Sequence, residues 1–186
     1  MDGAAQKAWF DVSEPGHEVR REAIEFDMLH VCPPQSAPDF VSESSLANEA
    51  GWVDVAQDTL RHKRYENVFS LGDACSAPNA KTLAAARIQA PVVAANLIAV
   101  LEGREPLAEY NGYGSCPLTV ERGKIVLAEF GYGGKLLPTF PEWLIKSNEA
   151  SKVAWFLKEK MLPTVYYQLM LKGREWLAKP PKLGGS

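Results

Sequence analysis

Three places in this sequence carry residue types suited to chemistry on an anionic or electron-accepting ligand. Gly72-Asp73 follows the short apolar run Val68-Phe-Ser-Leu71. A carboxylate directly after a strand can accept hydrogen bonds from a ligand's hydroxyl groups, and glycine lets the backbone approach; the same dipeptide also serves as a plain turn. Lys81 and Thr82 stand at the start of a helical pattern. A lysine beside a helix amino terminus stabilises negative charge, whether phosphate or a reduced anionic ring; otherwise it is a solvated surface side chain. Cys116 lies in Ser115-Cys-Pro-Leu118, at the mouth of a strand. There it is a nucleophile if nearby groups favour the thiolate, and a small buried apolar residue if they do not.

The other candidates are weaker. Cys32 precedes Pro33-Pro34 and Cys75 falls in the Gly-Asp loop, and both read as small apolar residues. The three histidines (His17, His30 and His62) are scattered, with no neighbour suggesting a base or a ligand. No C-x-x-C pair or His cluster is present, so no metal is expected.

The elements that must position these residues alternate between strand and helix signals. Lys7–Val12 and the stretch from Val19 to Val31 read as a strand and its return around Ser13-Glu-Pro-Gly16, ended by Cys32-Pro33-Pro34. Residues 35–50 read as loop or short helix. Gly51-Trp-Val-Asp-Val55 and Val68–Leu71 read as short strands, and Lys81–Leu101 as a helix. Asn79 or Thr82 would cap that helix, Pro91 would kink it and Gly103 would stop it. A buried strand, a Gly-Asp loop and a helix start in succession place ligands at the carboxyl edge of an α/β sheet. Tyr113–Val120 and Lys124–Phe130 flank Glu121-Arg-Gly123 as a hairpin, and beyond Pro141 the chain reads as helix broken at Pro163.

Length and charge narrow the setting. At 186 residues and 46 % hydrophobic content the chain is globular rather than disordered. Its 20 basic and 23 acidic residues make no global basic field, so nucleic acid is not an expected partner. The charge is uneven, however: eight basic and three acidic residues follow position 145, leaving the preceding body acidic. Met1–Val12 holds one lysine and no apolar run, so no secretory signal is expected, and no eighteen consecutive apolar residues occur that would suggest a bilayer-spanning helix. The basic tail carries Leu162, Val165, Tyr166, Leu169 and Met170 at helical spacing, with Trp155, Phe156 and Trp176 nearby. Such a stripe packs on a core or lies in a membrane interface.

In their order, Met28-Leu-His-Val-Cys-Pro-Pro34, Gly51-Trp-Val-Asp-Val55, Tyr65-Glu-Asn-Val-Phe-Ser-Leu-Gly-Asp73, Lys81-Thr82, Tyr113-Gly-Ser-Cys-Pro-Leu118 and Val126-Leu-Ala-Glu-Phe130 resemble the carboxyl-terminal half of sulfide:quinone oxidoreductases, in their mitochondrial-type branch. The resemblance runs from about Lys7 to about Gly173. It implies an α/β fold, α+β as an isolated piece, within a flavoprotein of two dinucleotide-type domains. Residues 1–50 would close the second nucleotide-type domain and 51–109 the FAD domain. Residues 110–186 would form a carboxyl-terminal hairpin and membrane-docking amphipathic helices.

By the same resemblance, sulfide attacks a disulfide between two redox cysteines, and the persulfide delivers electrons to FAD and then to quinone. Cys116 matches the carboxyl-side redox cysteine. Gly72, Asp73, Lys81 and Thr82 would bind the cofactor, Lys81 facing the flavin's pyrimidine edge. Phe130 and Tyr132, after the strand that pairs with the cysteine strand, are candidates for the quinone site. Trp155, Phe156, Leu162, Val165, Tyr166, Leu169, Met170 and Trp176 would dock on the surface of a bacterial or mitochondrial inner membrane. The family's Gly-x-Gly-x-x-Gly loop and partner cysteine do not occur in this sequence. The chain alone is therefore expected to be inactive, with apolar surface meant for an amino-terminal half leaving it dimeric or aggregation-prone. Cys32 and Cys75 do not match redox positions, although a disulfide through them stays open. Type II NADH:quinone oxidoreductases and the flavoprotein of flavocytochrome sulfide dehydrogenases share the Gly-Asp loop and the lysine-bearing helix. A non-catalytic module docking through residues 146–182 is the alternative outside enzymes.

Overall fold

A computed structural model describes residues 1–78 and 81–174, and the chain divides into two compact units, Met1–Gln35 and the part from Ser36 onward. The first is an antiparallel ribbon of β1 (Lys7–Val12) and β2 (Arg20–Glu25), in register from Lys7 opposite Glu25 to Val12 opposite Arg20. Gly16, at φ +83°, supplies the positive backbone angle of its turn. The return strand is shorter than its apolar pattern suggests, because it stops at Glu25. Met28 and Val31 are exposed instead, and the Cys32-Pro33-Pro34 run offers few donors for a ladder.

The second unit opens with the one-turn helix α1 (Asp39–Ser42). The stretches expected as short strands, 51–55 and 68–71, make single bridges rather than a sheet. Val53 pairs in parallel with Cys75, whereas Val55 pairs with His62 and Arg61 with Phe69 in antiparallel fashion. A parallel pair needs a crossover from distant chain to grow, and only one such bridge forms among the described residues. Val53, Val55, Leu60, Cys75, Val92 and Tyr110 nevertheless fill a buried core.

Helix α2 (Leu83–Leu101) closes that core. The Thr82 hydroxyl caps it by accepting from the Ala85 N–H at 3.2 Å, so the cap falls on Thr82 rather than Asn79, which lies outside the described residues. Ala85, Gln89, Val92, Asn96 and Ala99 form its buried face, and the helix continues through Pro91. Gly103 ends it at φ +72°, with Arg104 N–H bonding back to Ala99 O and Gly103 N–H to Val100 O, a Schellman closure. By length and composition α2 is apolar enough to cross a bilayer, although the sequence has no unbroken apolar run. Its Gln89 and Asn96 are bonded into the protein. The Asn96 amide donates to Thr59 O and Ala108 O, and its oxygen accepts from Leu107 and Ala108 N–H.

The expected hairpin forms from β3 (Gly114–Glu121) and β4 (Lys124–Phe130), with Arg122 and Gly123 as its two-residue loop and Gly123 at φ +87°. Alternation sorts β4 into a buried face of Ile125, Leu127 and Glu129, where the two aliphatic side chains join Ile145, Ala154 and Leu157 in a second core cluster. The carboxyl-terminal part departs from expectation. No helix starts at Pro141; winding begins at α3 (Lys152–Phe156), capped by the Ser151 hydroxyl, and passes through a π-helical turn at Leu157–Met161 into α4 (Leu162–Gln168). Pro163 does not break it. The wider π turn just before the proline relieves the ring's clash with the preceding carbonyls. A 3₁₀ turn, Met170–Lys172, ends at Gly173.

Candidate functional site

The Gly72-Asp73 dipeptide forms a 3₁₀ turn with Ala74 after extended Leu71. Gly72 adopts φ +65°, a left-handed angle that a side chain would strain. Its N–H donates to Gln89 Oε1 at 2.7 Å, so a buried glutamine of α2 holds the turn from beneath. Asp73 is exposed on the outer side of the turn.

Lys81 comes back to this turn. Its ammonium donates to Cys75 O at 2.6 Å and stands 4.0 Å from the centre of the Trp52 ring. Burial pulls its pKa below the usual lysine value, while the Cys75 and Asp73 side chains act in the opposite direction. Four of the expected residues (Gly72, Asp73, Lys81 and Thr82) thus meet at the amino end of α2. The set combines a bare backbone, an exposed carboxylate, a fixed cation and a helix amino terminus. Those groups suit a ligand with hydroxyls near a centre of developing negative charge.

Cys75 is buried inside the turn, its thiol donating to Gly72 O at 3.3 Å, and burial raises its pKa. Such a thiol packs rather than attacks. Cys116 is half-buried and sits opposite Ala128 in the β3–β4 register. Directly opposed and alternate residues share a face, so Cys116 lies with Val126, Ala128 and Phe130, on the side of the hairpin away from Leu127 and Glu129. The Phe130 ring covers Gly114 on that same face: a Cβ on Gly114 would be 3.1 Å from it. All three cysteines are free, with exposed Cys32 at 3.5 Å from His30 Nε2.

Tyr132 is committed to packing. Its hydroxyl donates to Gln57 O at 2.5 Å, its ring meets Tyr110 edge-on at 5.7 Å, and burial raises its pKa. His62 is also occupied, Nδ1 accepting from Arg64 and Tyr65 N–H while Nε2 bonds Leu46 O. Of the expected docking residues, Phe156 and Leu162 are exposed, whereas Trp155, Val165, Tyr166, Leu169 and Met170 are half-buried; Trp176 lies outside the described residues. From Val165 onward the stripe read from helical spacing is thus the half-buried face of this segment, which matches its core-packing alternative.

Several contributors carry no motif. Trp52 and Tyr113 stand inside the quoted segments without a distinguishing type, and Tyr110 lies outside them. Gln89 and Asn96 had a usable signal: two amides seven positions apart in an otherwise apolar helix share one face. Glu129 is a buried carboxylate that accepts from Tyr113 OH at 2.6 Å, Thr139 OH at 2.5 Å and Thr139 N–H at 3.0 Å.

No protein-family model matches the chain. It is 38 % identical over 168 residues to the mitochondrial sulfide:quinone oxidoreductase of Mus musculus, covering 90 % of this chain and 36 % of that protein. The Dictyostelium discoideum enzyme of the same name is 42 % identical over 180 residues, covering 96 % of this chain and 38 % of the relative. That of Schizosaccharomyces pombe is 34 % identical over 178 residues, with 95 % and 38 % covered. The chain therefore spans little more than a third of these relatives while matching them along nearly all of its own length. A chain in a cryo-EM structure of the Tetrahymena thermophila mitochondrial ATP synthase has a similar fold, at TM-score 0.68 and 27 % identity, over 92 % of this chain and 40 % of that one.

Proposed function

We propose, from the chain's kinship with the sulfide:quinone oxidoreductases, that it is the carboxyl-terminal portion of such an enzyme. The observation that carries the reading is the meeting of Gly72, Asp73, Lys81 and Thr82 at one helix start, within a sequence 34–42 % identical to these enzymes. In the whole protein FAD, when bound, supplies the two-electron acceptor between sulfide and quinone. Asp73 accepts hydrogen bonds from its hydroxyls, and Lys81 places positive charge where negative charge develops. Cys116 pairs with a second cysteine outside this sequence. Hydrosulfide adds to one sulfur of that disulfide, the S–S bond breaks, and the other sulfur leaves as thiolate. Phe130, on the cysteine face, fits a wall of the quinone site better than Tyr132, whose hydroxyl is occupied. The carboxyl-terminal helices rest on the inner-membrane surface.

The test is the complete polypeptide carrying this segment, assayed for sulfide-dependent quinone reduction. Cys116→Ser should abolish turnover while the bound flavin spectrum persists; sulfide oxidation surviving the substitution would overturn the assignment. The 186-residue chain alone should bind no stoichiometric flavin. A second reading has its own support, since a chain of similar fold belongs to an ATP synthase structure. A non-catalytic subunit would show neither flavin nor turnover even as the complete polypeptide.

A further inference from the structure

We propose that Lys158 is a positioning residue that holds the Cys116 strand from the face opposite the thiol. Its ammonium, on the π turn, donates to Pro117 O at 3.1 Å and to Thr119 Oγ1 at 2.8 Å. Pro117 follows Cys116 directly, and the pair is stiff. The proline ring fixes its own φ at about −65° and confines the preceding cysteine to extended backbone. A grip on the Pro117 carbonyl is therefore a grip on the Cys116 backbone. Proline brings no N–H to the strand, so the carbonyl is the one backbone group of Pro117 that takes a hydrogen-bond partner.

Lys158 reaches the strand because its helix is pinned at the other end. Ser151 donates its N–H to Ile125 O at 2.8 Å, accepts from the Ile125 N–H at 3.3 Å, and caps α3 with its hydroxyl. Ala154, Leu157 and Lys158 share one helix face by their spacing of three and four. The first two are buried with Ile125 and Leu127 of β4. Thr119 lies opposite Ile125 and Pro117 opposite Leu127, so all four belong to the face turned to the helix, and Cys116 belongs to the other. The segment 151–158 thus ties both strands of the hairpin, β4 through Ser151 and β3 through Lys158. Hydrogen bonds from a charged donor are stronger than neutral ones, so the β3 tie is the firmer of the two per bond. This role deepens the reading above and rests on it only for the redox function of Cys116.

The test uses the full 186-residue chain and follows iodoacetamide alkylation of each cysteine by peptide mass spectrometry. Exposed Cys32 is the reference for the reagent, and buried Cys75 the reference for wider unfolding. Lys158→Met should raise the Cys116 rate about fivefold while Cys75 stays protected, the factor matching one typical hydrogen bond. Lys158→Arg, which keeps the charge and the donors, should remain within about twofold of the parent chain. Thr119→Val removes one of the two acceptors and should raise the rate about twofold. Added to Lys158→Met it should change little, because both substitutions remove the same interaction. Ile145→Ala weakens the same core cluster away from the helix, and should lower the melting temperature without speeding Cys116 ahead of Cys75. The proposal is overturned by an unchanged Cys116 rate in Lys158→Met, by a rise shared with Cys75 or matched in Ile145→Ala, or by Lys158→Arg reacting as fast as Lys158→Met. Where Lys158→Met does not fold, Thr119→Val decides, and a Cys116 rate equal to the parent's overturns it. None of these readouts involves sulfide, quinone or flavin, so their failure is distinct from failure of the functional reading.

Discussion

The Lys81 ammonium lies between the Cys75 carbonyl oxygen, at 2.6 Å, and the face of Trp52, at 4.0 Å from the ring centre. A long, flexible cation is thereby fixed beside the Gly-Asp turn instead of sweeping through solvent. A cation over an indole face is worth about 0.5–2 kcal/mol, more as water is excluded. A double-mutant cycle of Trp52→Leu and Lys81→Met, read by urea unfolding, should return a coupling energy in that range. Trp52→Phe should keep most of it. Additive single effects would mean the ring merely covers the lysine stem.

The buried phenols set a limit on alkaline stability. Burial pushes Tyr110 and Tyr113 up to about 12, from 10.0, and raises Tyr132 as well. Between those values the unfolded chain sheds phenolic protons that the folded chain retains. The stabilisation is complete below pH 10 and is lost as pH climbs towards 12. Burial of Cys75 acts in the same direction, and Lys81, with its lowered pKa, in the opposite one. Urea midpoints should fall across this window, and more shallowly in Tyr110→Phe. A midpoint rising with pH in this window would show that the phenols are open to water.

Glu129 should be among the most sensitive positions in the second unit. Its carboxylate is the acceptor for two hydroxyls and one N–H in a buried setting. Glu129→Ala strands those donors and should cost about 2–4 kcal/mol in thermal or urea unfolding. Glu129→Gln keeps an acceptor but turns an N–H₂ towards donors, and should cost about half as much. Equal losses in the two variants would indicate that volume, not hydrogen bonding, matters there.

Two glycines with positive φ separate backbone strain from steric exclusion. Gly112, at φ +81°, would place a Cβ 2.4 Å from the Tyr132 ring and 2.6 Å from its backbone nitrogen. Gly123, at φ +87° in the hairpin loop, faces open space. Gly123→Ala should cost about 1 kcal/mol, the conformational part alone. Gly112→Ala adds overpacking against backbone and should cost about 2–5 kcal/mol. Melting temperatures of the two variants decide it; similar values would mean that Tyr132 yields.

Local signals in the sequence reached as far as local forces do. The Thr82 cap, the stop at Gly103 and the Arg122-Gly123 hairpin are each specified within a few residues, and each forms. The Gly-Asp turn and Lys81 were legible as a pair for the same reason, being close together on one strand–turn–helix unit. Trp52 was not, because the bridge from Val53 to Cys75 that brings it beneath Lys81 is a long-range pairing without local code. The short strands expected at 51–55 and 68–71 remained single bridges, since a buried parallel strand depends on neighbours far away in sequence. Helical spacing from Leu162 picked out Val165, Tyr166, Leu169 and Met170, which form one half-buried face, but spacing alone could not say whether that face meets protein or membrane.

The inward turn of that face leads to the last prediction, on the carboxyl-terminal helices. The exposed large apolar side chains there are Val153, Phe156, Met161, Leu162, Tyr167 and Leu171, with Lys152, Lys160, Lys172 and Arg174 exposed among them. Val165 and Leu169, by contrast, are half-buried within the fold. If this end rests on an anionic membrane surface, Phe156 and Leu171 enter it and the basic residues meet lipid headgroups. A fully buried large apolar side chain is worth about 1.5–3 kcal/mol. Phe156→Ser with Leu171→Ser should therefore lower co-sedimentation with phosphatidylglycerol-containing vesicles by about tenfold or more, with little change in melting temperature. Val165→Ser should do the reverse, lowering the melting temperature while vesicle binding persists. Vesicle binding lost in Val165→Ser but kept in the Phe156/Leu171 variant would return the docking face to the stripe read from helical spacing.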